Sequence, residues 1–126
     1  PTAYKILDQI INKQNVEIIH YNDLDFFNYE FSKCSTIVGT RFHSIVLGYL
    51  YNIPTLPIIY SNKTYNFLKD IKYSGCVIDY HNCSDADPKI IANYIRTKDN
   101  LLTINNEGII NKAAGHLSIL DKYLKI

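Results

Sequence analysis

The chain has 126 residues, 47% hydrophobic and 20% charged, with a formal net charge of +1. That length suits one domain with a real core, and the near-neutral charge excludes a nucleic-acid platform, which would be far more basic. No apolar run is long enough to span a bilayer, and the first residues do not read as a secretory leader.

Residues Pro1 to Asn15 read as a helix, with Ile6, Leu7, Ile10 and Ile11 on one face and Asn12 to Asn15 ending it. Val16 to Ile19 reads as a short strand, followed by the turn His20-Tyr21-Asn22-Asp23. Asp25 to Lys33 is a short helix whose Phe26, Phe27, Tyr29 and Phe31 suit core packing better than nucleobase stacking.

The run Thr36-Ile37-Val38 reads as a buried strand of a parallel sheet, broken by Gly39-Thr40. From Phe42 the period changes: Phe42, Ile45, Val46, Tyr49, Leu50 and Ile53 recur at helical spacing, and Pro54 stops the helix. Thr55 to Tyr60 forms the next strand, Ser61-Asn62-Lys63 a polar turn, and Lys63 to Ile71 a helix. After Gly75, Cys76 to Tyr80 reads as a further parallel strand. Asp87-Pro88 opens a helix with Ile90, Ile91, Tyr94 and Ile95 on its buried face. Asn105 to Ile126 forms a final helical region, with Ile109, Ile110, Ala113, Leu117, Leu120 and Leu124 in one stripe and His116 off it. The alternation predicts an α/β, Rossmann-like three-layer domain with a short, mostly parallel sheet, spanning 1–126 as a single domain. The absence of methionine, and first residues that read as helix rather than a leading strand, suit the C-terminal domain of a longer protein.

Ligands of open α/β sheets bind at the carboxyl ends of the strands. The turn after the first central strand is the richest in chemistry. With Thr40 as N-cap, Arg41 falls at N1 and His43 at N3. Free backbone donors and the helix dipole favour an anion there, Arg41 adds a planar fork for carboxylate or phosphate, and His43 adds a group that titrates near neutrality. Lys63 brings a second cation to the same rim. His20 and His81 also follow strands and are secondary candidates, with a solvent-facing structural role the simpler reading of each. For Arg41 the simpler reading is a surface ion pair, and for His43 an ordinary first-turn residue.

Cys34, Cys76 and Cys83 are an odd count without metal-ligand spacing, which fits free thiols in a reducing compartment, Cys76 serving as a small hydrophobe. His20, Asp23 and Asp25 lack a strong ligand spacing, so no metal is expected.

The Arg41-x-His43 pair after an apolar strand and Gly39-Thr40, then Gly48, Ile53-Pro54, a second apolar strand and Tyr60-Ser61-x-Lys63, resembles the polysaccharide pyruvyl transferase family. The resemblance implies the C-terminal half of a two-domain enzyme similar to GT-B glycosyltransferases. Such an enzyme sets the enolpyruvyl group of phosphoenolpyruvate on a sugar as a cyclic ketal. It implies roles in catalysis for His43 and Arg41, and substrate binding by Thr40, Arg41, Tyr60, Ser61 and Lys63. Phosphoenolpyruvate is then the donor substrate, with no further cofactor. The acceptor is a sugar or glycolipid, held largely by an N-terminal domain outside this chain. The implied setting is bacterial exopolysaccharide synthesis in the cytoplasm, with the full-length enzyme able to sit at the inner face of the membrane.

Two alternatives remain at this point. One is a GT-B glycosyltransferase domain gripping a nucleotide-sugar diphosphate, against which stands the lack of an obvious acidic residue in the turns. The other is a flavodoxin-like interaction domain, against which stands Asp79, read as lying inside a strand rather than at its mouth.

Overall fold

The computed structural model describes residues 2–103. It divides into two compact units, Pro1–Lys33 and Cys34–Ile126. The expected helix over 105–126, with its apolar stripe and His116, lies outside the described residues.

The first unit holds two helices, α1 (Thr2–Gln9) and α2 (Leu24–Ser32). The α1 helix stops well before Asn15, closing with an Ile10 N–H bond to the Leu7 carbonyl at 3.2 Å. Beyond it the Asn12 side chain accepts the Gln14 N–H at 3.1 Å, a local bond that competes with helix. The expected strand Val16–Ile19 does not form. Val16 and Ile19 are both exposed, the Val16 N–H turns back to the Lys13 carbonyl at 3.2 Å, and no described strand of this unit offers a ladder partner. Asp23 caps α2, its Oδ1 accepting the Phe26 N–H at 2.8 Å. The α2 aromatics do not make a core. Phe27 meets Tyr21 and Phe31 at centroid distances of 6.2 and 5.4 Å, while Phe26 and Tyr29 stay exposed.

The second unit carries the expected α/β alternation. Strand β1 (Ile37–Gly39) leads through α3 (Phe42–Leu50) to β2 (Thr55–Ile59), and on through α4 (Asn62–Asp70) to β3 (Ile78–Asp79). The sheet order is β1-β2-β3 and all pairs are parallel, with Ile37 opposite Thr55, Val38 opposite Leu56, and Ile58 opposite Ile78. This is a Rossmann-like arrangement, with α3 packed on β1 and β2 and α4 on β2.

Pro57 lies inside the central strand, a position where its missing N–H normally costs a ladder bond. Thr55 turns both backbone groups toward Leu102, donating at 2.9 Å and accepting at 2.8 Å. Backbone groups alternate sides along a strand, so Pro57 also faces that edge. There it falls in the gap between the Leu102 bridge and the first β3 pair at Ile58. No ladder donor is lost.

The core of this unit is Ile45, Tyr49, Leu68 and Leu102, with Ile59, Phe67, Ile71 and Tyr73 packed against it. The α3 stripe is buried at Ile45, Tyr49 and Ile53, but Leu50 is exposed. Pro54 is not what ends α3. Asn52 takes a left-handed conformation (φ 55°), its N–H bonds to the Tyr49 carbonyl, and the Ile53 N–H returns to Gly48 at 2.9 Å. The same device ends α4, where Lys72 (φ 55°) bonds Lys69 and Tyr73 returns to Leu68.

The expected strand Cys76–Tyr80 is shorter than predicted. The Cys76 N–H goes to the Asn100 carbonyl at 2.7 Å instead of to β2, and Tyr80–Asp85 turns into 3-10 helix. The last described helix, α5 (Pro88–Thr97), starts as predicted, with Asp87 accepting the Lys89 N–H at 2.8 Å and Pro88 in the first turn. Ile91, Tyr94 and Ile95 are half-buried, whereas Ile90 is exposed. None of the three cysteines is in a disulfide; Cys76 is half-buried and the others are exposed.

Candidate functional site

The carboxyl ends of β1 and β2 deliver two helix starts side by side. Gly39 makes the first possible: a Cβ there would come within 2.7 Å of Ile45 Cγ1 and 3.1 Å of Ser44 Oγ. The strand end therefore presses directly on the first turn of α3. The chain enters the helix with Arg41 still extended, so Arg41, not Thr40, is the N-cap (φ −82°, ψ 138°). Phe42 is N1 and His43 is N2. Arg41 makes no side-chain cap bond; its carbonyl accepts the Ser44 hydroxyl at 2.7 Å and the Ser44 and Ile45 N–H groups at 3.0 and 3.2 Å. Among the described residues, the Phe42 and His43 N–H groups have no backbone acceptor.

The second start follows β2. Ser61 is the N-cap of α4 in extended conformation, again without a side-chain cap bond, and Lys63 is N2. Ser61 Oγ lies 3.5 Å from the buried Thr64 hydroxyl. Tyr60, just before it, is exposed.

Phe42 joins the two starts. The Lys63 ammonium sits over its ring at 4.4 Å from the centroid. The His43 ring stands 5.7 Å away at 74°. Arg41, His43 and Lys63 are exposed and, among the described residues, have no ion-pair partner. The result is a rim with three basic side chains, free helix-start donors and, among the described residues, no carboxylate paired with them. Such a rim suits a small anion carrying more than one charge.

The structure brings Phe42, His43 and Lys63 together, with Arg41 and Thr40 immediately before them in the chain and Tyr60-Ser61 immediately before α4. His20 belongs to the first unit, where its Nε2 lies 3.0 Å from the Tyr4 hydroxyl. His81 stands exposed at the end of β3, its backbone N–H bound to Asp79 Oδ1 at 2.9 Å. Asp79 itself is a correction: it is the last residue of β3 and caps the 3-10 turn, so an acidic side chain does lie at a strand mouth. Its other oxygen lies 3.4 Å from Asn82 Nδ2. The run His81-Asn82-Cys83-Ser84 was the available signal for an early strand end. Phe42 was read as a core residue; its place at the first helical position, where a side chain has no preceding turn to cover, marks it as a rim residue.

The polysaccharide pyruvyl transferase family model matches residues 3–62. Over that stretch the chain is similar to this family. The matched stretch takes in Thr40, Arg41, His43, Tyr60 and Ser61 and ends one residue before Lys63. No curated protein and no solved structure matches the chain. Among the described residues, no helix is long and apolar enough to cross a membrane, and no three His, Cys, Asp or Glu side chains gather as metal ligands.

Proposed function

We propose that this chain is a polysaccharide pyruvyl transferase domain that binds phosphoenolpyruvate at the α3–α4 rim. The observation that carries the reading is the pairing of two uncapped helix starts with Arg41, His43 and Lys63, inside or adjoining the stretch that matches the family.

The chemistry makes definite demands. The donor carries a carboxylate and a phosphate, which call for the Arg41 fork, the Lys63 ammonium and the free N–H groups of Phe42 and His43. Tyr60 and Ser61 complete the substrate side of the rim, and Thr40 precedes it. In the reaction the vinyl carbon takes up a proton and becomes a methyl group. Two sugar hydroxyl oxygens add to the neighbouring carbon, and the C–O bond to phosphate breaks. One hydroxyl proton balances the new C–H bond and the other leaves with phosphate. His43 serves as general acid toward the vinyl carbon or as base toward a hydroxyl. The sugar acceptor is held by a further domain, and the reaction takes place in the cytoplasm, where phosphoenolpyruvate is made.

Asp79 favours one second reading, a GT-B glycosyltransferase domain, since a carboxylate at a strand mouth can grip ribose hydroxyls. Titration of phosphoenolpyruvate, and separately of UDP, into the ¹⁵N-labelled chain decides between them. Shifts confined to 40–43 and 61–63 with phosphoenolpyruvate are expected, with Arg41→Ala weakening binding about 10- to 100-fold. Preferential binding of UDP, with shifts near Asp79, would sink the pyruvyl transferase reading.

A further inference from the structure

Most basic side chains at a protein surface that are held in place are held by a carboxylate, and that partner cancels the charge it fixes. Lys63 is held differently. It stands over an aromatic face, 4.4 Å from the Phe42 centroid, and has no carboxylate partner among the described residues. A ring quadrupole attracts an ammonium without neutralising it. The full positive charge of Lys63 is thereby kept for an incoming anion.

Phe42 is in turn anchored from below. Its ring meets Phe67 edge-on at 5.7 Å and 85°, and Phe67 meets Tyr49 at 5.9 Å and 87°. Tyr49 is buried in the core with Ile45, Leu68 and Leu102. An aromatic row therefore runs from the core to the rim, alternating between α3 and α4, and its last face carries Lys63. The same ring presents its neighbour His43 at 5.7 Å.

We propose that Phe42 is a positioning residue of the anion site: its ring holds the Lys63 ammonium beside the start of α3 and leaves its charge uncompensated. This rests on the reading of the rim as the phosphoenolpyruvate site, but the contact itself can be tested without that ligand.

The test uses the 126-residue chain and two readouts. The first is the NMR shift of the Lys63 side-chain methylenes, which a ring face moves upfield. It is expected in the parent chain, lost in Phe42→Leu and kept in Phe42→Tyr, which retains the face. The second is phosphoenolpyruvate affinity in a double-mutant cycle. Phe42→Leu is expected to weaken binding about two- to fivefold in the parent and to have no further effect in Lys63→Gln. Phe42→Tyr restores the affinity. Unshifted Lys63 methylenes in the parent overturn the proposal, as does an equal loss from Phe42→Leu in both backgrounds. If the shift behaves as expected but the parent chain does not bind phosphoenolpyruvate, the functional reading falls while the positioning of Lys63 by Phe42 stands.

Discussion

Gly48 brings α3 into direct contact with β2. A Cβ there would overlap the Thr55 hydroxyl oxygen. Thr55 is fully buried, and its hydroxyl donates to the Ile53 carbonyl at 2.8 Å, so it cannot swing aside without leaving that carbonyl short of a partner. Gly48→Ala gains about 1 kcal/mol of helix propensity and incurs about 1–3 kcal/mol of overpacking. A lower urea midpoint is expected, and an unchanged or raised midpoint would show that α3 can lift off β2 freely. The glycine was legible only as a small residue on a helical face, because the need for it comes from a side chain seven positions on and across the chain reversal. The placement of Arg41, His43 and Lys63 just after strand ends was legible, because the apolar runs that mark β1 and β2 also mark where they stop. Phe42 was not, since hydrophobicity alone cannot distinguish a ring that fills a core from one that carries an ammonium.

At the scale of elements, the Asn100 carbonyl ties the segment between α4 and β3 to the chain beyond α5. Asn100 accepts the Cys76 N–H at 2.7 Å and shares the Tyr73 hydroxyl proton, at 2.9 Å, with the Cys76 carbonyl at 2.7 Å. Burial pushes the Tyr73 phenol well above the ordinary tyrosine value of 10.0, and the neighbouring Cys76 thiol adds a smaller push the same way. The folded state thus favours the neutral phenol more than the unfolded chain does. Its contribution is complete below the unfolded value and fades as the pH climbs from there toward the folded value. Stability is therefore expected to fall above about pH 10 more steeply in the parent than in Tyr73→Phe, as followed by urea unfolding. Equal slopes would detach Tyr73 from the alkaline limb. Elements whose period is supported by a neighbour were read correctly: β1, α3, β2 and α4 lie where the apolar pattern puts them. Val16–Ile19 carried an equally good strand pattern, but a strand needs a partner and a pattern does not supply one. The β3 strand was overextended for a related reason, since Cys76 spends its donor on Asn100.

For the molecule as a whole, the two units differ in what holds them. Neither α1 nor α2 buries a residue, and Tyr4, Ile6, Leu24 and Tyr29 are exposed. The second unit has a cluster closed over by α3, α4 and Leu102. Local opening is easiest where little apolar surface is covered. Amide exchange is expected to be fastest across α1 and α2 and slowest in β2 and the middle of α3, by orders of magnitude between them. Comparable protection in α1 and β2 would mean that the first unit draws its stability from something other than its own packing. This contrast was hidden in the sequence, where Ile6 and Ile10 look as well suited to a core as Ile45 and Tyr49.

The β1 strand is one of the two edge strands of the described sheet, and Ile37 turns its backbone N–H inward to Pro54. Alternation then turns the Val38 backbone groups outward, and Val38 is 49% exposed. Among the described residues of this unit, no strand pairs with that side, where a further strand would follow the parallel sense that β1 sets. Every parallel strand added there would end on the same side as Gly39 and bring its following turn alongside Arg41. The rim is a coastline that lengthens with the sheet, and the width of the molecule that can be gripped grows with the number of strands, not with any change to the residues already in place.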